Sequence, residues 1–148
     1  MEEVLKEREK SFDQCNEALL RTRVTHATCL AIVGRREEAE GIQRDLISTF
    51  DKELGWTHTL TLELKRNYAH NLFKMGMFEE AKKWLQFVLE NYSPIFSYCG
   101  DHENIEIKNE LLHTLMALEE VEEVDVCFKE LIELMKQVYG KRGVERIL

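Results

Sequence analysis

The segment Gly34-Arg35-Arg36-Glu37-Glu38-Ala39 returns as Gly76-Met77-Phe78-Glu79-Glu80-Ala81, 42 residues later. A third copy lacking the glycine, Glu119-Glu120-Val121-Glu122-Glu123-Val124, follows after 43 more. A fixed period of this length marks a chain of stacked supersecondary units, each too small to bury its apolar face alone. In every copy a turn leads into a helix whose small residue (Ala39, Ala81 or Val124) lets a neighbouring helix approach closely. The period predicts a helical array that presents a surface to a partner. It does not name the partner.

Apolar spacing fills in each unit as two antiparallel helices. Leu64, Tyr68, Leu72 and Met75 give one buried face to a helix from about Thr59 to Met75, which Gly76 ends. Phe78, Ala81, Leu85, Val88, Leu89 and Tyr92 then mark the second helix. The first unit repeats the layout with Leu20, Ala27, Leu30 and Val33, then Ala39, Ile42, Leu46, Phe50 and Leu54. The third has Leu111, Leu112, Leu115 and Leu118, then Val121, Val124, Phe128, Leu131, Met135 and Val138. Glu119 stands where the glycine should be, so that connection is expected to be capped less tightly. Gly55-Trp56-Thr57-His58, the longer Ser93–Gly100 loop and Gly140-Lys141-Arg142-Gly143 link the units; the middle one holds the chain's single proline and is the candidate functional loop.

The expected organisation is one domain over 1–148, with repeats at about 14–55, 56–100 and 101–143 and partial repeats at both ends. Leu5 to Phe12 falls where an earlier second helix would finish, and Ser11-Phe12-Asp13-Gln14 reads as a capping box opening a new helix. Val144 to Leu148 falls where a further first helix would begin, so the chain reads as part of a longer array or as one with irregular caps. Apolar residues at the ends, Leu5, Phe12, Ile147 and Leu148, imply weak self-association, folding back or burial by parent sequence.

Composition excludes several classes. With 44% hydrophobic and 32% charged residues, the chain suits a helical globular domain rather than a disordered one. A formal charge of -8 argues against nucleic acid as partner, which needs clustered Lys and Arg. The start, Met1-Glu2-Glu3-Val4-Leu5-Lys6, is too charged for a secretory signal, and no apolar run reaches the ~20 residues that span a bilayer. Cys15, Cys29, Cys99 and Cys127 show no paired spacing, which fits reduced thiols and a cytoplasmic location.

The pattern Gly-x-x-Glu-Glu-Ala, with Ala27 and Ala69 seven positions before the glycine, resembles a tetratricopeptide repeat (TPR). The longer period, and the linkers Gly55-x-x-His58 and Gly100-Asp101-His102, are similar to the kinesin-light-chain subtype. The resemblance spans roughly residues 14–143 and implies an all-α solenoid of about three antiparallel helix pairs in a right-handed superhelix. It also implies a non-enzymatic module that holds a peptide or protein segment in a concave groove lined by the first helix of each pair. A second similarity, through Glu79-Glu80-Ala81, Glu90-Asn91-Tyr92-Ser93-Pro94-Ile95-Phe96 and Val138-Tyr139-Gly140-Lys141, is to the helical C-terminal domain of SET/MYND lysine methyltransferases. Neither catalytic part is present, so the alternative is the non-catalytic arm of such an enzyme, and a self-associating scaffold is a third.

No motif carries catalysis or a cofactor. His26, His58, His70, His102 and His113 lack metal-binding spacing, and no phosphate loop or nucleophile elbow occurs. Cys127 beside Phe128 sits in an apolar stripe and reads as a buried, inert thiol. The acidic run from Glu119 to Asp125 reads as a helix start favoured by the dipole. Trp56 and Trp84 are candidate anchors for a partner, and Trp84, which adjoins Leu85 on a helix, equally fits packing in the core or between repeats.

In the implied groove the lining residues are Arg21, Thr25 and Thr28, then Glu63, Arg66, Asn67, His70 and Lys74, then Glu106, Asn109, Glu110 and His113. Asn side chains can pair with a peptide backbone, since the amide both donates and accepts. The central unit is the most basic, so an acidic or extended peptide is expected to lean on Arg66, Asn67, His70 and Lys74. Reversing Arg66 and Lys74 together is expected to remove binding without loss of stability. The Lys/Arg/Asn clamp by which some members of the family hold a terminal carboxylate is absent, because Val24, Thr28, Glu106 and Glu110 stand at its positions.

Overall fold

The computed structural model describes the backbone of residues 2–92 and 100–140, and side-chain surroundings over 16–92 and 102–140. Six helices and no strand occur among the described residues: α1 (Glu2–Ile32), α2 (Arg36–Glu53), α3 (Thr59–Lys74), α4 (Phe78–Asn91), α5 (Gly100–Ala117) and α6 (Val121–Tyr139). They pack as three pairs, α1 with α2, α3 with α4 and α5 with α6. Each second helix also packs on the first helix of the next pair, while α1, α3 and α5 touch one another only lightly. First helices therefore share one surface, with open clefts between them. The architecture is an all-α solenoid of three pairs.

The period is visible in the backbone. Arg35, Met77 and Glu120 precede the three second helices with nearly the same geometry, φ/ψ of -85/59, -87/61 and -82/70. Before them stand Gly34 (φ 90), Gly76 (φ 81) and Glu119 (φ 59), all left-handed. Glu119 corrects the expectation of a looser third connection. Its turn closes with the same backbone bonds, the Glu120 amide donating to the Leu115 carbonyl as Met77 does to Leu72 and Arg35 to Leu30. Packing of the helices imposes the turn on a residue that would not choose it.

Two apolar clusters form the core. Leu46, Ile47, Phe50, Leu64, Tyr68, Leu72 and Ala81 make the first, around the junction of α2 with α3. Ala69, Leu85, Val88, Ile107, Leu111, Leu112, Leu115, Cys127 and Leu131 make the second. Trp84 borders both, its ring edge-on to Tyr68 with centroids 5.5 Å apart. It packs between repeats, as its place beside Leu85 suggests. Burial pushes the Cys127 thiol up from its usual range, which fits an inert core cysteine.

Two further sequence expectations are corrected. The capping box at Ser11-Phe12-Asp13-Gln14 opens no helix, because α1 runs unbroken from Glu2 to Ile32. That stretch has neither Gly nor Pro and is rich in strong helix formers, so nothing turns the chain before Ser11. Val33, Val121 and Phe128 are not core residues: they are 70%, 75% and 45% exposed. No helix among the described residues packs over α6 beyond its partner α5, which leaves Phe128 uncovered. The Ser93–Ser97 and Tyr98–Cys99 part of the candidate loop, and Ile147 and Leu148, lie outside the described residues, as do the side chains of Leu5 and Phe12.

Candidate interaction groove

Two clefts flank α3 on the surface shared by the first helices. One, about 240 Å³, lies between α1 and α3 and is lined by Thr28, Asn67, His70 and Lys74 together with Arg36, Gln43 and Asn71. The other, about 290 Å³, opens between α3 and α5 and is lined by His70, Lys74, Glu110 and His113 over Ala69, Phe73 and Leu85. His70 and Lys74 thus stand on the ridge between them, and both are exposed. Their spacing of four residues on one helix puts them on the same face.

The two floors differ in chemistry. Under the first cleft the Asn71 amide donates to the Arg36 carbonyl at 3.1 Å and to Gln43 Oε1 at 3.2 Å, and both amide side chains are almost fully buried. Asn71 Oδ1 has no partner there. Under the second cleft the residue in register with Gln43 is Leu85, and the floor is mainly apolar, the buried Thr114 hydroxyl there donating back to the Glu110 carbonyl of its own helix. Lys74 has no carboxylate partner among the described residues, and its Nζ rests 5.8 Å from the centre of the Phe73 ring.

Arg66 is placed differently from its neighbours. Its guanidinium donates to Glu106 at 2.9 Å and to Glu110 at 3.0 Å, tying α3 to α5. Burial opposes the charge, but the hydrogen bonds to Glu110 and Glu106 outweigh it and raise the arginine further. Reversing Arg66 would therefore set three carboxylates together at an interhelical contact, contrary to the expectation that such a change spares stability. Lys82 does the same work on the other side of this junction: hydrogen bonding to Glu120 and proximity to Glu123 raise its pKa. Between Gly100 and Gly140 there are eleven Asp and Glu against three Lys, so the third pair draws cations from the second.

The remaining predicted lining residues sit near the same surface. Arg21, Thr25 and Glu63 line a smaller cleft of about 160 Å³ with Phe50 and Leu60. Arg21 is engaged by Glu17 at 3.1 Å, and the Thr25 and Thr28 hydroxyls donate back to the Arg21 and Val24 carbonyls. Asn109 is exposed on α5 and borders none of these clefts. Sequence reasoning missed Arg36, Gln43 and Asn71. A signal existed for Gln43, a polar residue where the next copy has Leu85. The histidines outside the groove have local roles: His58 caps α3 by accepting from the Leu60 amide, and His102 pairs with the Tyr139 hydroxyl at 2.8 Å. No group of three potential metal ligands occurs among the described residues.

This arrangement of pairs and clefts matches solved structures. Two crystal structures described as kinesin light chain nearly identical TPR-like repeats, from Podosopora anserina, superpose with TM-scores of 0.67 and 0.66 at 19% and 18% identity. Each alignment covers 80% of this chain and 56% of the other, so the chain spans little more than half the length of either. The chain has the TPR-like helical-repeat fold. No protein-family model matches it. Comparison with curated protein sequences gave no match. No helix among the described residues is long and apolar enough to cross a membrane.

Proposed function

We propose that this chain is a non-enzymatic interaction module that holds an extended protein segment across α3, with His70 and Lys74 as the central contacts. The observation that carries the reading is the pair of adjoining clefts with this shared ridge, on the surface where the first helices leave open space. A preformed groove of packed helices loses little ordering entropy when a segment enters it. Lys74, with no acid of its own among the described residues, supplies a charge-assisted hydrogen bond to a carboxylate of the ligand. The unlike floors give the segment a direction. An acidic or polar side chain suits the amide-floored cleft beside Arg36, and an apolar one suits the cleft over Ala69, Phe73 and Leu85. Helix α3, about 10–12 Å across with its side chains, separates the clefts, and that width corresponds to roughly three residues of extended chain, so the two side chains should stand about that far apart.

Affinity capture from cell extract tests the reading, using the wild-type chain, Lys74→Glu and the control Lys83→Glu on the exposed side of α4. Captured proteins should be lost with Lys74→Glu and kept with Lys83→Glu, while both variants retain wild-type helicity. Equal capture by all three would move the binding surface away from α3.

A further inference from the structure

The repeat register shows which faces a next helix normally covers. Gln43 on α2 and Leu85 on α4 occupy the same register position, and each is 1% exposed because the following first helix lies over it. Phe128 is their counterpart on α6 and is 45% exposed. At the other end, Thr61, Tyr68 and Asn71 of α3 are buried, and Tyr68 and Asn71 bond to Glu40 and Gln43 of α2. Their counterparts on α1 are Leu19, His26 and Cys29, all exposed, Leu19 to 59%. Two halves of a stacking contact are thus present on one molecule, at matching register and covered by no other helix among the described residues.

We propose that a second copy of this chain fills them, the face of α1 carrying Leu19 and His26 seating on α6 around Phe128 of the preceding copy. The contact continues the stacking already made twice inside the chain, α2 on α3 and α4 on α5. In that register Phe128 takes the slot of Leu85, opposite Cys29, a small residue that leaves room for the ring. Charge follows the same rule. The Tyr68 hydroxyl donates to Glu40 at 2.8 Å across the first junction, and the residues in register on α1 and α6 are His26 and Asp125. Among the described residues Asp125 is held otherwise only by Lys129 on its own helix, in an exposed pair that contributes little. Arg23 gains no matching acid, since Lys136 stands at the register of Asp51, so the association is weak. The contact is head to tail and therefore open: a copy that receives on α6 still offers its own α1.

Sedimentation equilibrium of the full chain tests this with two variants, Leu19→Asp and Phe128→Asp, each checked for wild-type helicity. Phe128→Ser serves as a milder second change at an exposed site. The wild-type mass should climb with concentration past two chains. Each variant alone should remain a single chain, whereas an equal mixture should form a dimer and stop, because one intact α1 face meets one intact α6 face. A wild-type chain of constant single mass overturns the proposal and assigns these faces to residues 141–148 or to another protein. Growth that halts at two wild-type chains, or a mixture that fails to associate, overturns the head-to-tail geometry.

Discussion

The two junctions between helix pairs use the same geometry and opposite chemistry. Where α2 meets α3, buried polar side chains pair across the junction: the Asn71 amide NH2 with Gln43 and the Arg36 carbonyl, Tyr68 with Glu40, and the buried Lys65 with Asp51 at 2.7 Å and the Trp56 carbonyl at 3.2 Å. Where α4 meets α5, the same positions carry Leu85, Leu111 and Thr114, and polarity is pushed to the edges as the Arg66 and Lys82 ion pairs. Backbone register therefore does not dictate the character of a junction. It dictates only that each position has a partner, and the partner can be an amide or a leucine. The difference reaches the surface, because each junction supplies the floor of one cleft beside α3.

The sharpest way to break this comparison is to remove one amide of the first junction. Asn71→Leu leaves the buried Gln43 amide oxygen without its donor and takes the side-chain donor from the Arg36 carbonyl, and should cost roughly 2–3 kcal/mol in urea unfolding. Copying the second junction at the amide pair, as Gln43→Leu with Asn71→Thr, should recover most of that loss, because the two amides leave together. A double variant as unstable as Asn71→Leu would show that the junctions are not interchangeable.

Inside a pair the account expects close approach to dominate over polarity. Ala81 is fully buried, whereas Ala18 is exposed on α1. Ala81→Leu should cost about 1–3 kcal/mol and Ala18→Leu almost nothing. Equal urea midpoints would displace the repeat frame.

At the second junction Arg66→Glu should cost about 1–2 kcal/mol, less than Asn71→Leu, because Glu106 and part of Glu110 reach water. Salt separates the two mechanisms. Going from about 0.1 M to 1 M shortens the screening length from about 10 Å to 3 Å, so the Arg66→Glu penalty should shrink while that of Asn71→Leu persists. The smallest effect is at the third turn, where Glu119→Gly should stabilise by about 1 kcal/mol, seen as a higher melting temperature. No change there would mean that Glu119 rests without strain.

The fold was legible from the period alone, because Gly34 and Gly76 mark turns whose geometry the third copy repeats even without its glycine. The groove surface was partly legible: Thr28, Asn67, His70 and Lys74 do meet in one cleft. What stayed hidden depends on pairing across helices. Arg66 looks as free as Lys74 in the sequence, and only the approach of α5 shows that Glu106 and Glu110 hold it. Asn71 looks like a surface residue one turn after Asn67, and only α2 reveals its burial against Gln43. The break expected at Ser11 failed for another reason. A local capping pattern has no force where the chain before it is equally willing to be helical.

If a protein segment lies across α3 and reads its two unlike clefts, selection from a random peptide library on the immobilised chain should recover it. Enriched peptides should carry an acidic or polar residue about three positions from an apolar one, a spacing set by the width of α3. Their binding should weaken at least tenfold with Lys74→Glu. No enrichment, or enriched peptides that bind the Lys74→Glu chain as tightly as wild type, would contradict it.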